Sequence, residues 1–252
     1  MKTSTRRFAR IREAAFLSRT EVIVLALVVG VLVVLMVVAT SSVGNSAQRA
    51  QCLKNIKQFD AALLIYAKQN KNRFPSVPNG YWAWDLPRSV ADSLVRGGLT
   101  RAAMYDPGNP DQNVDELWNW RDGFRIVGYA MTLPGTESAG YTNQNSVIPQ
   151  PATNSAPGAR GASGVDPSQR VLIAGPVISD FRQNDPRQRE RYNYTQIRGQ
   201  WNGVHRASHL DGSGTYPEGD NVGMLDGSAK WRKFQDMIPR TNPGGSSPIF
   251  WW

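Results

Sequence analysis

The sequence predicts an α+β chain in which a long N-terminal transmembrane helix packs on a small antiparallel sheet. Three observations carry this expectation. A charge-free apolar run lies near the N-terminus, a helical apolar periodicity follows it, and a series of short alternating segments ends on an Asp-Gly turn.

The apolar run extends from Val22 to Thr40, VIVLALVVGVLVVLMVVAT, 19 residues without a charge. At 1.5 Å per residue it covers roughly the 30 Å hydrocarbon core of a bilayer, so residues 22–40 are the predicted span. Residues 1–21 form a basic leader, with Lys2, Arg6, Arg7, Arg10, Arg12 and Arg19 against Glu13 and Glu21, a net +4. The positive-inside rule puts this leader in the cytoplasm and the rest of the chain outside it. A cleavable signal peptide fits less well, because the apolar run exceeds the usual 7 to 15 residues, although Ala39 and Ser41 would make a small-residue cleavage pair.

Past the run, residues 41–72 continue the helix. Leu53, Ile56, Phe59, Leu63, Tyr66 and Ala67 recur at three- and four-residue steps, with lysines and glutamines on the other side. One helix from about Ser18 to Asn70 follows, with Gly44-Asn45 as a candidate bend and Phe74-Pro75 as its stop.

Residues 73–252 make up the α+β head. Asp85 to Val95 reads as a short helix with Asp85 as N-cap, Pro87 in the first turn and Gly97-Gly98 beyond its end. Gly123 to Leu133 alternates like a strand, and Arg170 to Ile173 begins another. Between them, residues 136–168 lack apolar periodicity and read as an exposed loop. Asn221 to Leu225 and Ser228 to Phe234, joined by Asp226-Gly227, form a predicted hairpin with a type I′ turn.

Composition excludes several function classes. The formal charge of +9 is dispersed without a run of five or six basic residues, which argues against nucleic acid as a partner. Cys52 is the only cysteine, so no intrachain disulfide forms, and on the helix it reads as a small buried hydrophobe. There is no nucleophile elbow, phosphate-binding loop or dinucleotide fingerprint, so the chain is not expected to be an enzyme. His205 and His209 stand four apart, but the Gly-rich stretch around them and the lack of an adjacent Glu leave a helical zinc pair unsupported.

Three stretches together resemble bacterial prepilin-type proteins, in particular the group similar to the major pseudopilin of type II secretion. They are Leu17-Ser18-Arg19-Thr20-Glu21 ahead of the span, Gln51-Cys52-Leu53-Lys54-Asn55-Ile56-Lys57-Gln58 with Asn72-Arg73-Phe74-Pro75, and Asn221 to Trp231 around the Asp-Gly turn. The resemblance implies a pilin-like fold and a single-pass bacterial inner-membrane subunit with a periplasmic or extracellular head. It further implies assembly through the N-terminal helix into a secretion- or pilus-type filament. The partners it implies are copies of the chain or similar subunits, and a prepilin peptidase acting between Phe16 and Leu17. Members carry Gly before that bond, where this chain has Phe16. Glu21 would pair with the terminal amine of a neighbouring subunit and set register; Ser18-x-x-Glu21 also matches a helix capping box.

Pseudopilins of the group the chain resembles often bind calcium near the C-terminal sheet, so the resemblance implies a calcium site for which Asp211, Glu218, Asp220 and Asn221 are the candidate oxygen ligands, and calcium is the one cofactor in view. The histidine upstream of the turn has a structural role on this reading. Trp82-Trp84 and Trp118-Trp120 are expected in the core, while Trp251-Trp252 docks on the sheet or on a partner. The alternative of a different class is a non-polymerising, membrane-anchored binding protein with a pilin-derived fold.

Overall fold

The computed structural model describes residues 18–78, 80, 82–121, 123–135, 166–199, 201–240 and 248–252, and for 33–44 the backbone alone. Phe16, Leu17 and most of the 1–21 leader lie outside the described residues, as does 136–165 of the predicted loop. The chain divides into two compact units, Met1–Gly44 and Asn45–Trp252.

Helix α1 runs from Arg19 to Gln69. It starts at a capping box: the Ser18 N–H donates to Glu21 Oε2 (2.7 Å) and the Glu21 N–H to Ser18 Oγ (3.3 Å). It ends before Phe74-Pro75, where Lys71 and Asn72 take left-handed backbone angles of φ 59° and 60°.

The expected transmembrane helix is corrected here. Among the described residues no helix is long and apolar enough to cross a membrane. The described apolar side chains of α1 run from Val22 to Leu32, about 16 Å of helix at 1.5 Å per residue, roughly half of a bilayer core. Residues 33–40 of the predicted span lie outside the described side chains. The single-pass inner-membrane placement, which rested on that span, falls with it.

In the second unit α1 lays a buried face on the sheet. Cys52, Ile56, Phe59, Leu63 and Ala67 are all fully buried, spaced at three and four residues. The helix crosses the sheet at Gly223, where an added Cβ would stand 3.0 Å from the Ile56 side chain.

In place of the single small sheet of the prediction, the described residues form three antiparallel sheets. The largest has the order β3-β4-β6-β7, with β3 Ala130–Met131, β4 Val171–Ala174, β6 Gly219–Met224 and β7 Ala229–Lys233. Every residue of the interior strand β6 is buried, whereas β7, at the edge, is half covered. A second sheet pairs β1 Asp85–Pro87 with β2 Phe124–Ile126, and a third pairs β5 Val177–Ser179 with β8 Ile249–Trp251.

Local departures from expectation have identifiable causes. Asp85 is a strand residue opposite Ile126, its carboxylate taken by the Trp82 N–H at 3.0 Å, so helix α2 begins only at Arg88 and ends at Arg96 before Gly97-Gly98. The predicted strand over 123–133 divides because the Gly128 N–H leaves the ladder for the Met104 carbonyl. The short helix α3, Asp115–Trp118, was not anticipated. The 221–234 hairpin forms, but its turn has left-handed geometry only at Gly227 (φ 85°). Asp226 instead accepts from the Ser228 N–H and Oγ, and the Gly227 N–H donates to the Met224 carbonyl, closing a type I turn with a glycine bulge.

Strands β5 and β8 form a wall between two cores. Their period-two alternation sends Ile178, Phe250 and Trp252 into the main core, and Val177, Ile249 and Trp251 into a smaller one with Tyr194, Phe234 and Met237. The two C-terminal tryptophans are thus docked on the chain's own fold.

Candidate metal centre

Four segments distant in sequence bring a thiol, an imidazole and two carboxylates to one point. Cys52 comes from the buried face of α1. Asp106 follows the 3-10 turn Arg101–Met104, whose start Thr100 caps through its hydroxyl. His209 comes from the loop ahead of β6, and Asp220 from β6 itself. All four are buried, and one donor atom from each lies within 4.8 Å of the others.

Cys52 Sγ is 3.1 Å from Asp106 Oδ2 and 3.4 Å from Asp220 Oδ1. On the far side His209 Nε2 is 3.3 Å from Asp106 Oδ1 and 3.7 Å from Asp220 Oδ1. Neither His209 Nε2 nor Asp220 Oδ2 has a hydrogen bond of proper geometry.

The surroundings fix the carboxylates and thiol. Asp106 Oδ1 accepts from the Gly108 N–H at 2.7 Å, and Asp220 Oδ1 from the Asn221 N–H at 2.7 Å. The Tyr129 hydroxyl points at Cys52 Sγ at 3.9 Å and donates to the Tyr105 carbonyl at 3.1 Å. Gly175 permits the close approach of Asp220, since a Cβ there would stand 1.9 Å from its carboxyl carbon. Over the top, Arg49 lies on the Trp231 ring (4.3 Å) and pairs with Glu218, while Trp231 meets the His209 ring edge-on.

Burial first, then the charges of Asp106 and Asp220, push the Cys52 thiol well above its ordinary pKa, so on its own it is a poor nucleophile. Burial, together with Asp106, also drives the Asp220 carboxyl strongly upward against the pull of His209. Burial opposes a charge on His209, yet Asp220 and Asp106 outweigh it and hold the imidazole at about 9. The cluster is a set of metal-ligand donors whose negative groups destabilise one another in a buried site.

Comparison with protein-family models, with curated proteins and with solved structures returned no match.

The residues singled out in the sequence are distributed as follows. Of Asp211, Glu218, Asp220 and Asn221, Asp220 alone joins the centre. The half-buried Asp211 has its carboxylate held by the Ser213 N–H and hydroxyl, Glu218 pairs with Arg49, and Asn221 Nδ2 donates to the Arg49 carbonyl. His205 and His209 do not act together. His205 stacks among Trp82, Trp84 and Trp201 with ring centroids 5.0–5.2 Å away, whereas His209, at φ 46° in a non-helical loop, turns into the centre. Asp106 was missed, because the only local signal is a turn sequence, Asp106-Pro107-Gly108-Asn109, and no spacing links 52, 106, 209 and 220.

Proposed function

We propose that the chain is a non-enzymatic, pilin-like subunit that assembles with copies of itself or similar subunits through the apolar part of α1. The observation that carries the reading is the exposure of Val22 to Leu32. The large apolar side chains of that stretch are each 50–65% exposed within the chain. They surround the helix without an amphipathic face, and a helix apolar all round needs cover on every side. Neighbouring helices of the same kind supply it. In this reading Glu21, besides capping α1, sets register by meeting a cationic group of the adjacent subunit.

The test is sedimentation velocity and negative-stain electron microscopy of the purified full chain in a mild detergent, alongside a Leu25→Glu/Val28→Glu variant. The wild-type chain is expected to form concentration-dependent oligomers or filaments. A charge buried without a partner costs about 3–5 kcal/mol, so the variant should assemble at least about 100-fold more weakly. A wild-type chain that stays monomeric at every concentration would sink the assembly reading and leave a non-polymerising binding protein.

A further inference from the structure

We propose that Cys52, Asp106, His209 and Asp220 form a closed structural zinc site that ties α1 to the central sheet. The four donors approach the dimensions of a zinc tetrahedron. With zinc bond lengths of about 2.0–2.3 Å, the edges of a tetrahedron of ligands are about 3.3–3.8 Å. Cys52 Sγ lies 3.1 Å from Asp106 Oδ2 and 3.4 Å from Asp220 Oδ1, and His209 Nε2 lies 3.3 Å from Asp106 Oδ1 and 3.7 Å from Asp220 Oδ1; Asp106 meets the thiol and the imidazole through different oxygens, and one donor atom from each of the four residues lies within 4.8 Å of the others.

Two of the donors, moreover, lack a hydrogen bond. His209 Nε2 and Asp220 Oδ2 are buried without hydrogen-bond partners, and both belong to side chains at most 2% exposed. Unpaired polar atoms of this kind are rare in folded interiors and mark a missing partner.

The donor types also discriminate among metals. Calcium takes six to eight oxygen ligands and magnesium an octahedral set, whereas this centre offers one sulfur, one nitrogen and two carboxylates. A mixed thiolate, imidazole and carboxylate set in tetrahedral array suits zinc. Four protein ligands leave no open position for substrate, so the ion is structural. The outer groups match that role, with amide donors on both carboxylates and a tyrosine hydroxyl at the sulfur. A cleft of about 580 Å³ lined in part by Arg49, Gly108, His209 and Glu218 gives an ion a way in.

The experiment uses the untagged full chain, stripped with a chelator and reloaded. Elemental analysis after exhaustive dialysis against trace zinc is expected to find one zinc per chain. Cobalt substituted for zinc should show tetrahedral visible bands and a sulfur-to-cobalt charge-transfer band. Cys52→Ser and Asp220→Asn should each weaken zinc binding at least about 100-fold, and Cys52→Ser should lose the charge-transfer band. The zinc-loaded wild type should melt several degrees above the stripped chain, a comparison that needs no variant to fold. Three results would overturn the proposal: less than a tenth of an equivalent of zinc, a six-coordinate cobalt spectrum without the sulfur band, or zinc uptake unchanged in Cys52→Ser. The first of these, with His209 seen by NMR as a doubly protonated imidazolium, would make the cluster an internal ion pair.

Discussion

Asp60 lies on the buried face of α1 two turns beyond Cys52, and neither of its carboxylate oxygens has a hydrogen-bond partner. Burial, helped by the charge of Asp226, raises its pKa to about 8 from an ordinary 3.8. The folded chain therefore holds a proton that the unfolded chain releases, and stability declines as pH climbs from about 4 to about 8. Asp60→Asn lacks this decline, so its melting temperature should gain on the wild type steadily between pH 5 and pH 8. A constant difference across that range would refute the assignment. His205 behaves in the opposite sense. Burial among the tryptophans depresses its pKa to about 4 from 6.5. The unfolded state takes up the proton first, so this contribution is complete above about pH 6.5 and is lost as pH falls through about 4. His205→Phe should escape that acid loss, which amounts to about 3 kcal/mol at most. Chemical denaturation at pH 7 and pH 4.5 measures it.

The hairpin of β6 and β7 depends on Gly227, whose positive φ is costly for any residue with a Cβ. Gly227→Ala should cost about 1 kcal/mol or somewhat more by urea denaturation, with the native fold retained. This hairpin was legible in the sequence because Asp-Gly punctuates two alternating runs. Its turn type was not, since Ser228 captures the Asp226 carboxylate and removes the need for a second left-handed residue. The lower half of α1 was legible through its periodicity, although the buried row begins at Cys52 and not at Leu53. Asp85 to Pro87 was misread as a helix start, because pairing with β2 is a contact nearly forty residues away that local capping rules do not see. The candidate centre was legible only in fragments. Cys52, His209 and Asp220 each stood out, but each for a different reason. Only the tertiary fold, packing α1 on β6 and closing the loop at His209, turns them toward one another.

Across the whole molecule, the C-terminal strand is a tie between the two cores. Trp251 is fully buried, donates from Nε1 to Ser179 Oγ at 2.8 Å, and packs on Phe234 and Tyr192. Trp251→Ala should cost about 3–5 kcal/mol by urea denaturation and expose β5 to hydrogen exchange first. The separation of Cys52 from Asp220, 168 residues along the chain, also sets a timetable. A ribosome adding roughly 5–20 residues per second needs on the order of ten to thirty seconds to deliver the second partner after the first. Throughout that interval Ile56, Phe59 and Leu63 have emerged without the strand that covers them. In that interval the apolar face of the helix is open to non-native contacts, as transiently uncovered apolar surface is in chains of this size.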